Sequence, residues 1–189
     1  MVGLHITKKT KQLPQWMWAT FEHVDNAPDV QDGKAVPVAG KQYNFYNPSC
    51  TACPLNTPPS KEQPNEPTQV GRLIPVASTA PNATYQSALK SLRADNVWQN
   101  YMLVDAQWGA SASPIGEPNQ PKFLANTVME TYLQGEVVDP QAPHGCINCH
   151  GLANKTDLDF QLTGAYPHPP RFADSFFKAH GISLTPKQQ

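Results

Sequence analysis

The sequence has little charge and no long apolar run. Charged residues make up 15% of the 189 residues, and the formal net charge is −1. Nucleic acids and anionic membranes are bound by concentrated basic patches, and the chain has no block of like charges, so we expect neither partner. A membrane-spanning helix needs about 18 consecutive apolar residues, and no stretch of the sequence reaches that length, so we expect no membrane span.

Proline is the residue in excess. The chain holds 20 prolines, about twice the usual share, and seven of them fall between residues 54 and 81. Proline fixes its own backbone φ and donates no backbone hydrogen bond. We therefore predict that residues 51–82 form a long loop that wraps the surface, in part as polyproline II. A disordered linker is the alternative.

Two N-terminal segments, residues 2–7 and 16–24, alternate in the way that strands do. Many of their residues are β-branched or aromatic, and side chains at every second position would share one face. We predict a strand in each segment. The polar residues and proline at 25–28 predict a turn, and residues 42–46 a further short strand.

Helices are predicted in the second half of the chain. In residues 121–134, proline lies near the first turn, and Leu124, Val128 and Tyr132 recur at four-residue spacing. Met129 lies on this apolar stripe and is expected in the core. Weaker patterns predict helices at residues 84–92, 158–162 and 170–179, and a strand at residues 101–108.

One motif carries specific chemistry: residues 146–150 read Cys-Ile-Asn-Cys-His. Cys-x-x-Cys-His is the sequence to which haem c is attached. Two thiols three residues apart reach the two vinyl groups of one porphyrin, and the adjacent histidine binds the iron. We therefore assign Cys146 and Cys149 to thioethers and His150 to the proximal ligand of one haem c. The alternatives are a disulfide or redox pair before a histidine, and half of a zinc site.

Haem c attachment normally follows export, which bears on the N-terminus. Residues 1–9 show no basic leader, apolar core or small-residue cleavage site. We therefore expect a periplasmic or otherwise extracytoplasmic protein, with a signal peptide that precedes residue 1 in a longer native chain.

The motif does not supply the sixth iron ligand. Small soluble cytochromes usually supply a methionine downstream of it, and residues 151–189 contain none. We rank His5 first, because Gly3 on the same strand face would leave space for a large group against the sheet. His23 ranks second, since it shares its face with small and apolar residues. The other possible ligands are Met17, Met102, Met129, His144, His168 and His180. A five-coordinate iron is the further alternative.

Trp16 and Trp18 fall on the second predicted strand, and we expect them to line the haem crevice. Two readings remain open for the acidic residues that follow them. Glu22 and Asp25 could act as acid–base groups beside an open haem, or Asp25 could simply belong to the predicted turn.

A second cysteine pair, Cys50 and Cys53, is followed by proline and cannot be another haem c motif. In an oxidising compartment both thiols should be paired. We expect a local disulfide that staples the proline-rich segment. A redox-active dithiol and metal ligation are the alternatives.

A few other stretches are distinctive when taken together. They are GLHI through KT at residues 3–10, PQWMWATFEHVDN at 14–26, LANT at 124–127, ETY at 130–132 and DF at 159–160. With the Cys-x-x-Cys-His motif they resemble a little-characterised family of bacterial periplasmic cytochrome c proteins. The resemblance spans most of the chain except its proline-rich middle, and family members extend further at the N-terminus. It implies an exported monohaem protein and no established reaction.

The sequence as a whole predicts an α+β protein. An N-terminal antiparallel β portion, residues 1–50, would be joined by the wrapping loop of residues 51–82 to a helical haem c-binding portion, residues 83–189, in one compact unit. The leading function is one-electron transfer to a redox partner protein. The alternative is a haem enzyme, or a binding protein for peroxide, NO or CO, with an open or displaceable distal site. A docking module within a larger polypeptide or complex is a third class.

Overall fold

The structure, a computed structural model, describes residues 1–11, 16–62, 64–74, 76, 79–108, 121, 123–134 and 145–150. The chain divides into two compact units, Met1–Cys149 and His150–Gln189. Where the structure describes it, the chain combines two antiparallel sheets with one long helix, which is an α+β arrangement. Several predicted features lie outside the described residues, namely the helices at 158–162 and 170–179, His144, His168 and His180.

A three-stranded antiparallel sheet forms the centre of the first unit. Its strands are β1 (Gly3–Lys8), β2 (Met17–His23) and β5 (Tyr101–Gln107), with β2 in the middle. Each boundary lies within one residue of a strand predicted from the sequence, so these three predictions are confirmed. For β1 and β2 the alternation of side chains was informative because the period of two is a local property of an extended chain.

One face of this sheet buries polar side chains, and we call it the polar face. On β2 it carries Trp18, Thr20 and Glu22, which are all buried. Directly opposed residues in an antiparallel pair point to the same side. His5 is opposite Thr20, and Gln107 is opposite Trp18, so both belong to the polar face as well.

The described part of residues 121–134 covers the polar face and is not the predicted helix, so that prediction is wrong. Within it, helical structure is confined to a 3-10 turn at Thr131–Leu133. The Oδ1 atom of Asn126 accepts a hydrogen bond from the N–H of Met129 (3.2 Å), and the N–H of Thr127 donates to a buried carboxylate of β2 (3.0 Å). These contacts compete with helical hydrogen bonds. Met129 is 47% exposed and does not lie in the core.

The helix α1 (Thr79–Leu92) covers the free edge of β5. The side chain of Asn82 donates to the carbonyl of Leu103 (2.8 Å) and accepts from its N–H (2.7 Å), as a neighbouring strand would. An edge satisfied in this way is protected from pairing with other chains. The helix begins earlier than the predicted start at residue 84, because Pro81 fits within the first turn, where its missing N–H costs nothing.

A small hairpin of β3 (Asp29–Gln31) and β4 (Lys34–Val36) follows β2 and was not predicted. Its two-residue turn, Asp32 and Gly33, has positive φ at both positions (49° and 74°). Asp-Gly is a favoured sequence for such turns. The strand predicted at residues 42–46 is wrong, because backbone N–H groups of that segment bond to the turn that follows β2.

The described residues of the proline-rich segment lie against these sheets. Asn56 is buried, and its side chain exchanges two hydrogen bonds of 2.9 Å with the backbone of Gly71. Arg72 forms an isolated β-bridge with Asp29. The segment passes into helix at Thr79, before the predicted loop end at residue 82.

Candidate functional site

The Cys-x-x-Cys-His sequence lies on a short helix, α2 (Cys146–His150). Residues three and four apart on a helix are neighbours on its surface, so positions 146, 149 and 150 share one side. Two cysteines three positions apart, followed by a histidine, are the residue types that haem c attachment requires. The residues present therefore fit the group that the sequence predicts.

The start of α2 is fixed to the sheet by Gln107, the last residue of β5. The side chain of Gln107 is fully buried. Its Oε1 atom accepts a hydrogen bond from the N–H of Ile147 (2.9 Å), and its Nε2 donates to the carbonyl of Pro121 (2.8 Å). Gly145 lies so close that a Cβ at this position would collide with the Gln107 amide. The predicted haem-binding sequence therefore begins against the polar face.

The two tryptophans predicted to line the crevice differ in position. Trp18 is 8% exposed and lies directly opposite Gln107 in the pairing of β2 with β5. Trp16 precedes β2, and the ammonium of Lys9 lies 5.1 Å from the centre of its ring, a cation–π distance. Trp18 is therefore the tryptophan that shares a sheet face with the anchor of α2.

His5, the first predicted distal ligand, lies on the polar face of β1. Its Nε2 atom is 3.2 Å from Oε1 of Glu130. The other carboxylate oxygen of Glu130 accepts a hydrogen bond from the N–H of Asn126 (2.6 Å), so the carboxylate is itself held in place. An imidazole that donates from Nε2 keeps Nδ1 for a ligand. Iron binding by His5 therefore requires Nδ1 or the release of Glu130.

The space beside Gly3 is filled by the protein, which corrects one reason for choosing His5. A Cβ at Gly3 would lie 2.5 Å from Nδ2 of Asn126 and 2.8 Å from the carbonyl oxygen of Phe21. That amide donates to Oγ1 of Thr20 (3.1 Å) and to the Phe21 carbonyl (2.9 Å). The glycine admits the side chain of Asn126 to the sheet, and it leaves no room for a cofactor at this point.

His23, the second predicted distal ligand, lies on the opposite face, at the far end of β2 from Trp18. Its Nδ1 accepts a hydrogen bond from the N–H of Asp25 (3.2 Å), and its ring packs edge-on against Tyr101, with centres 5.4 Å apart. A neutral imidazole that accepts at Nδ1 carries its proton on Nε2. Metal binding through Nε2 therefore requires the other tautomer and the loss of this contact.

A buried ion pair on the polar face was not predicted from the sequence. Glu22 is fully buried, and Arg72 is 6% exposed. Nε of Arg72 donates to Oε1 of Glu22 (2.6 Å), and Nη1 donates to Oδ1 of Asp29 (2.7 Å). Burial alone would lower the pKa of Arg72, but the charge of Glu22 and the hydrogen bonds to both carboxylates raise it above its ordinary value. Glu22 is thus committed to a structural contact, and the acid–base interpretation of this residue is not supported.

The sequence indicates one member of this ion pair and not the other. A glutamate on the inward face of an alternating strand needs a cation or hydrogen bonds when it is buried. The chain has 14 lysines and arginines, and no local spacing indicates that Arg72 is the partner. The tertiary structure selects it.

Cys50 and Cys53 form a disulfide, with Cα atoms 5.5 Å apart. A side chain from later in the proline-rich segment bonds to the backbone of this disulfide. Nε2 of Gln69 donates to the carbonyl of Cys50 (2.9 Å). Gln69 is buried and its own N–H donates to the carbonyl of Pro54 (2.9 Å).

The chain was compared with protein-family models, with curated proteins and with solved structures, and none of the three comparisons found a match. In the part of the chain that the structure describes, no group of three or more His, Cys, Asp or Glu side chains is placed to hold a metal ion. The described helices include none that is long and apolar enough to cross a membrane.

Proposed function

We propose that this protein is a periplasmic electron-transfer protein with one haem c. Cys146 and Cys149 hold the haem through thioethers, and His150 is the proximal iron ligand. The observation that carries the proposal is the Cys-x-x-Cys-His sequence, which lies on one helical turn, α2, whose start is anchored to the sheet through Gln107.

Each residue has a defined chemical role in this proposal. The S–H bond of each cysteine would add across a vinyl C=C bond of the porphyrin, which would form a C–S bond and consume no oxidant. His150 supplies a neutral ring nitrogen to the metal. When bound, the haem supplies an iron that accepts and releases one electron. The buried polar face beneath the start of α2 keeps the attachment turn in one position.

The disulfide between Cys50 and Cys53 supports an extracytoplasmic location. Disulfides persist in oxidising compartments such as the periplasm and are rare in the cytosol. The resemblance of the chain to exported monohaem proteins points the same way. The electron donor and acceptor would be proteins that meet the folded domain after export.

A haem enzyme or small-ligand binding protein is the second candidate. One observation favours it: both predicted distal histidines are engaged within the protein, His5 with Glu130 and His23 with the N–H of Asp25. If neither leaves its partner, the distal position is open or held by a weaker ligand. Rapid binding of CO by the reduced protein, together with a high-spin ferric spectrum, would support this candidate against electron transfer.

The test of the main proposal is expression with an export signal in a host that matures c-type cytochromes. We expect a red protein whose mass exceeds that of the polypeptide by one haem, and whose haem survives denaturation. Cys146→Ala with Cys149→Ala should abolish covalent haem. Cys50→Ser with Cys53→Ser is the matched control, since it removes the same number of cysteines and should retain the haem. A colourless wild type with the bare polypeptide mass would refute the proposal.

A further inference from the structure

We propose that Gln107 is a positioning residue for the haem. Its buried amide holds the thioether-bearing turn against the polar face and thereby sets the reduction potential. This inference rests on the proposed function, and it adds a residue that the Cys-x-x-Cys-His motif does not contain. Gln107 is 39 residues upstream of Cys146, on a different element of the fold.

The amide of Gln107 is buried and is held by hydrogen bonds at both of its polar atoms. Gln107 is fully buried, and Ile147 is 1% exposed. Oε1 receives the N–H of Ile147 at 2.9 Å, and Nε2 reaches the carbonyl of Pro121 at 2.8 Å, so both ends of the amide are bonded. A buried amide in an apolar setting would be destabilising without such partners. The side chain is therefore held in one orientation by two separate segments.

The hydrogen bond to Ile147 has a consequence for the helix that follows. The first N–H groups of a helix have no partner inside it. Ile147 is the second residue of α2, and its N–H is one of these groups. Gln107 supplies the missing acceptor from β5, so the sheet itself caps the attachment helix next to Cys146.

The contacts of Gly145 show that the backbone just before α2 lies very close to the amide of Gln107. A Cβ at this position would stand 2.7 Å from Oε1 of Gln107 and closer still to Nε2. Only a residue without a side chain allows the backbone to come this near to the amide. A glycine directly before the first cysteine is therefore explained by the anchor.

Solvent exposure and hydrogen bonding around a haem tune its reduction potential. A turn released from the sheet would admit water beside the thioether at Cys146. Water stabilises the more highly charged ferric state, so we expect the midpoint potential to fall when the anchor is lost. Covalent attachment does not depend on the anchor and should remain.

The experiment compares Gln107→Ala with two other variants. Gln107→Glu keeps the acceptor for the Ile147 N–H and should restore part of the wild-type behaviour. Asn82→Ala is the matched control, since it removes another buried amide, whose hydrogen bonds go to the backbone of Leu103 on β5. The measurements are hydrogen exchange of the Ile147 amide and the midpoint potential, both under conditions where each variant is fully folded.

We expect Gln107→Ala to accelerate exchange of the Ile147 amide at least 10-fold, about 1.4 kcal/mol, and to lower the midpoint potential, with haem content unchanged. Asn82→Ala should leave both readouts at wild-type values. Equal shifts in the two alanine variants, or a loss of stability in Gln107→Ala with an unchanged potential, would reduce Gln107 to a purely structural residue and overturn the inference.

Failure of the inference is distinguishable from failure of the proposed function. The exchange of the Ile147 amide can be measured in the polypeptide with or without haem, so unchanged exchange in Gln107→Ala overturns the anchor alone. A wild-type protein that never acquires haem overturns the proposed function, and with it the effect on potential.

Discussion

Glu22 and Arg72, 50 residues apart in sequence, form an ion pair that is almost completely withdrawn from solvent. The second carboxylate oxygen of Glu22 accepts the N–H of Thr127 (3.0 Å), so the pair also connects the sheet to the segment that covers it. Three distant parts of the chain therefore meet at one carboxylate. These contacts hold the buried polar groups of this face in a defined arrangement.

Neutralising Glu22 should be strongly destabilising. Glu22→Gln would leave the buried guanidinium of Arg72 without its main counter-charge, and breaking a buried pair in this way costs about 3–5 kcal/mol. Urea unfolding measures the change. The matched control is Asp29→Asn, which removes the other carboxylate on Arg72. The Asp29 side chain is 59% exposed, so its loss should cost no more than about 1 kcal/mol. Equal costs for the two variants would contradict the assigned role of Glu22.

A methyl group at Gly3 should disturb the contact between β1 and Asn126. Gly3→Ala would place its Cβ 2.5 Å from Nδ2 of Asn126, and overpacking of this kind costs about 1–3 kcal/mol. In an Asn126→Ala background the collision with the amide is removed and the contact with the carbonyl oxygen of Phe21 (2.8 Å) remains, so the same substitution should cost less. A double-mutant cycle by chemical denaturation measures this coupling, and strictly additive costs would show that the two residues do not contact each other. Thr7→Ala, at an exposed position of β1, is the control.

Alkaline pH should weaken the protein through Tyr85. Burial raises the pKa of Tyr85 in the folded state above the unfolded value of about 10. The folded state therefore favours the neutral phenol. This contribution to stability is complete below about pH 10 and is lost as the pH rises through the folded pKa. Tyr85→Phe cannot ionise, so its free energy of unfolding should fall less steeply above pH 10 than that of the wild type. Parallel pH profiles would refute this.

If the protein holds one haem c as proposed, substitution of the two candidate histidines should have different effects on the iron. His5 shares the polar face with Gln107, whereas His23 lies on the other side of the sheet. We expect His5→Ala to change the low-spin ferric signal in electron paramagnetic resonance and His23→Ala to leave it unchanged. If neither variant alters the signal, His5 is not the sixth ligand, and the open-site alternative gains support.

The sequence predicted the elements whose signal is local. Alternation in β1 and β2 follows from the pleat of an extended chain, and both strands, like β5, lie where they were expected. The Cys-x-x-Cys-His motif is equally local, because its chemistry requires only a fixed spacing of three residues. A short spacing also favours the disulfide between Cys50 and Cys53.

In the described part of residues 121–134 the predicted helix is absent because hydrogen bonds to residues far away in the sequence compete with the local helical pattern. Residues 121–134 have the apolar spacing of a helix, but the side chain of Asn126 bonds to Thr20 across 106 positions and the N–H of Thr127 to Glu22 across 105. These bonds divert the backbone from helical pairing. The hairpin of β3 and β4 was missed for a different reason, since strands of three residues are too short to show a period.

By itself, the sequence determined the strands of the central sheet and predicted a donor set for haem attachment, because both depend on residues a few positions apart. The tertiary structure decided that Arg72 neutralises Glu22, that Asn126 fills the space beside Gly3 and that Gln107 caps α2. Each of these contacts satisfies a buried polar group. Such a group needs a partner, but only the folded chain determines which of many distant residues supplies it.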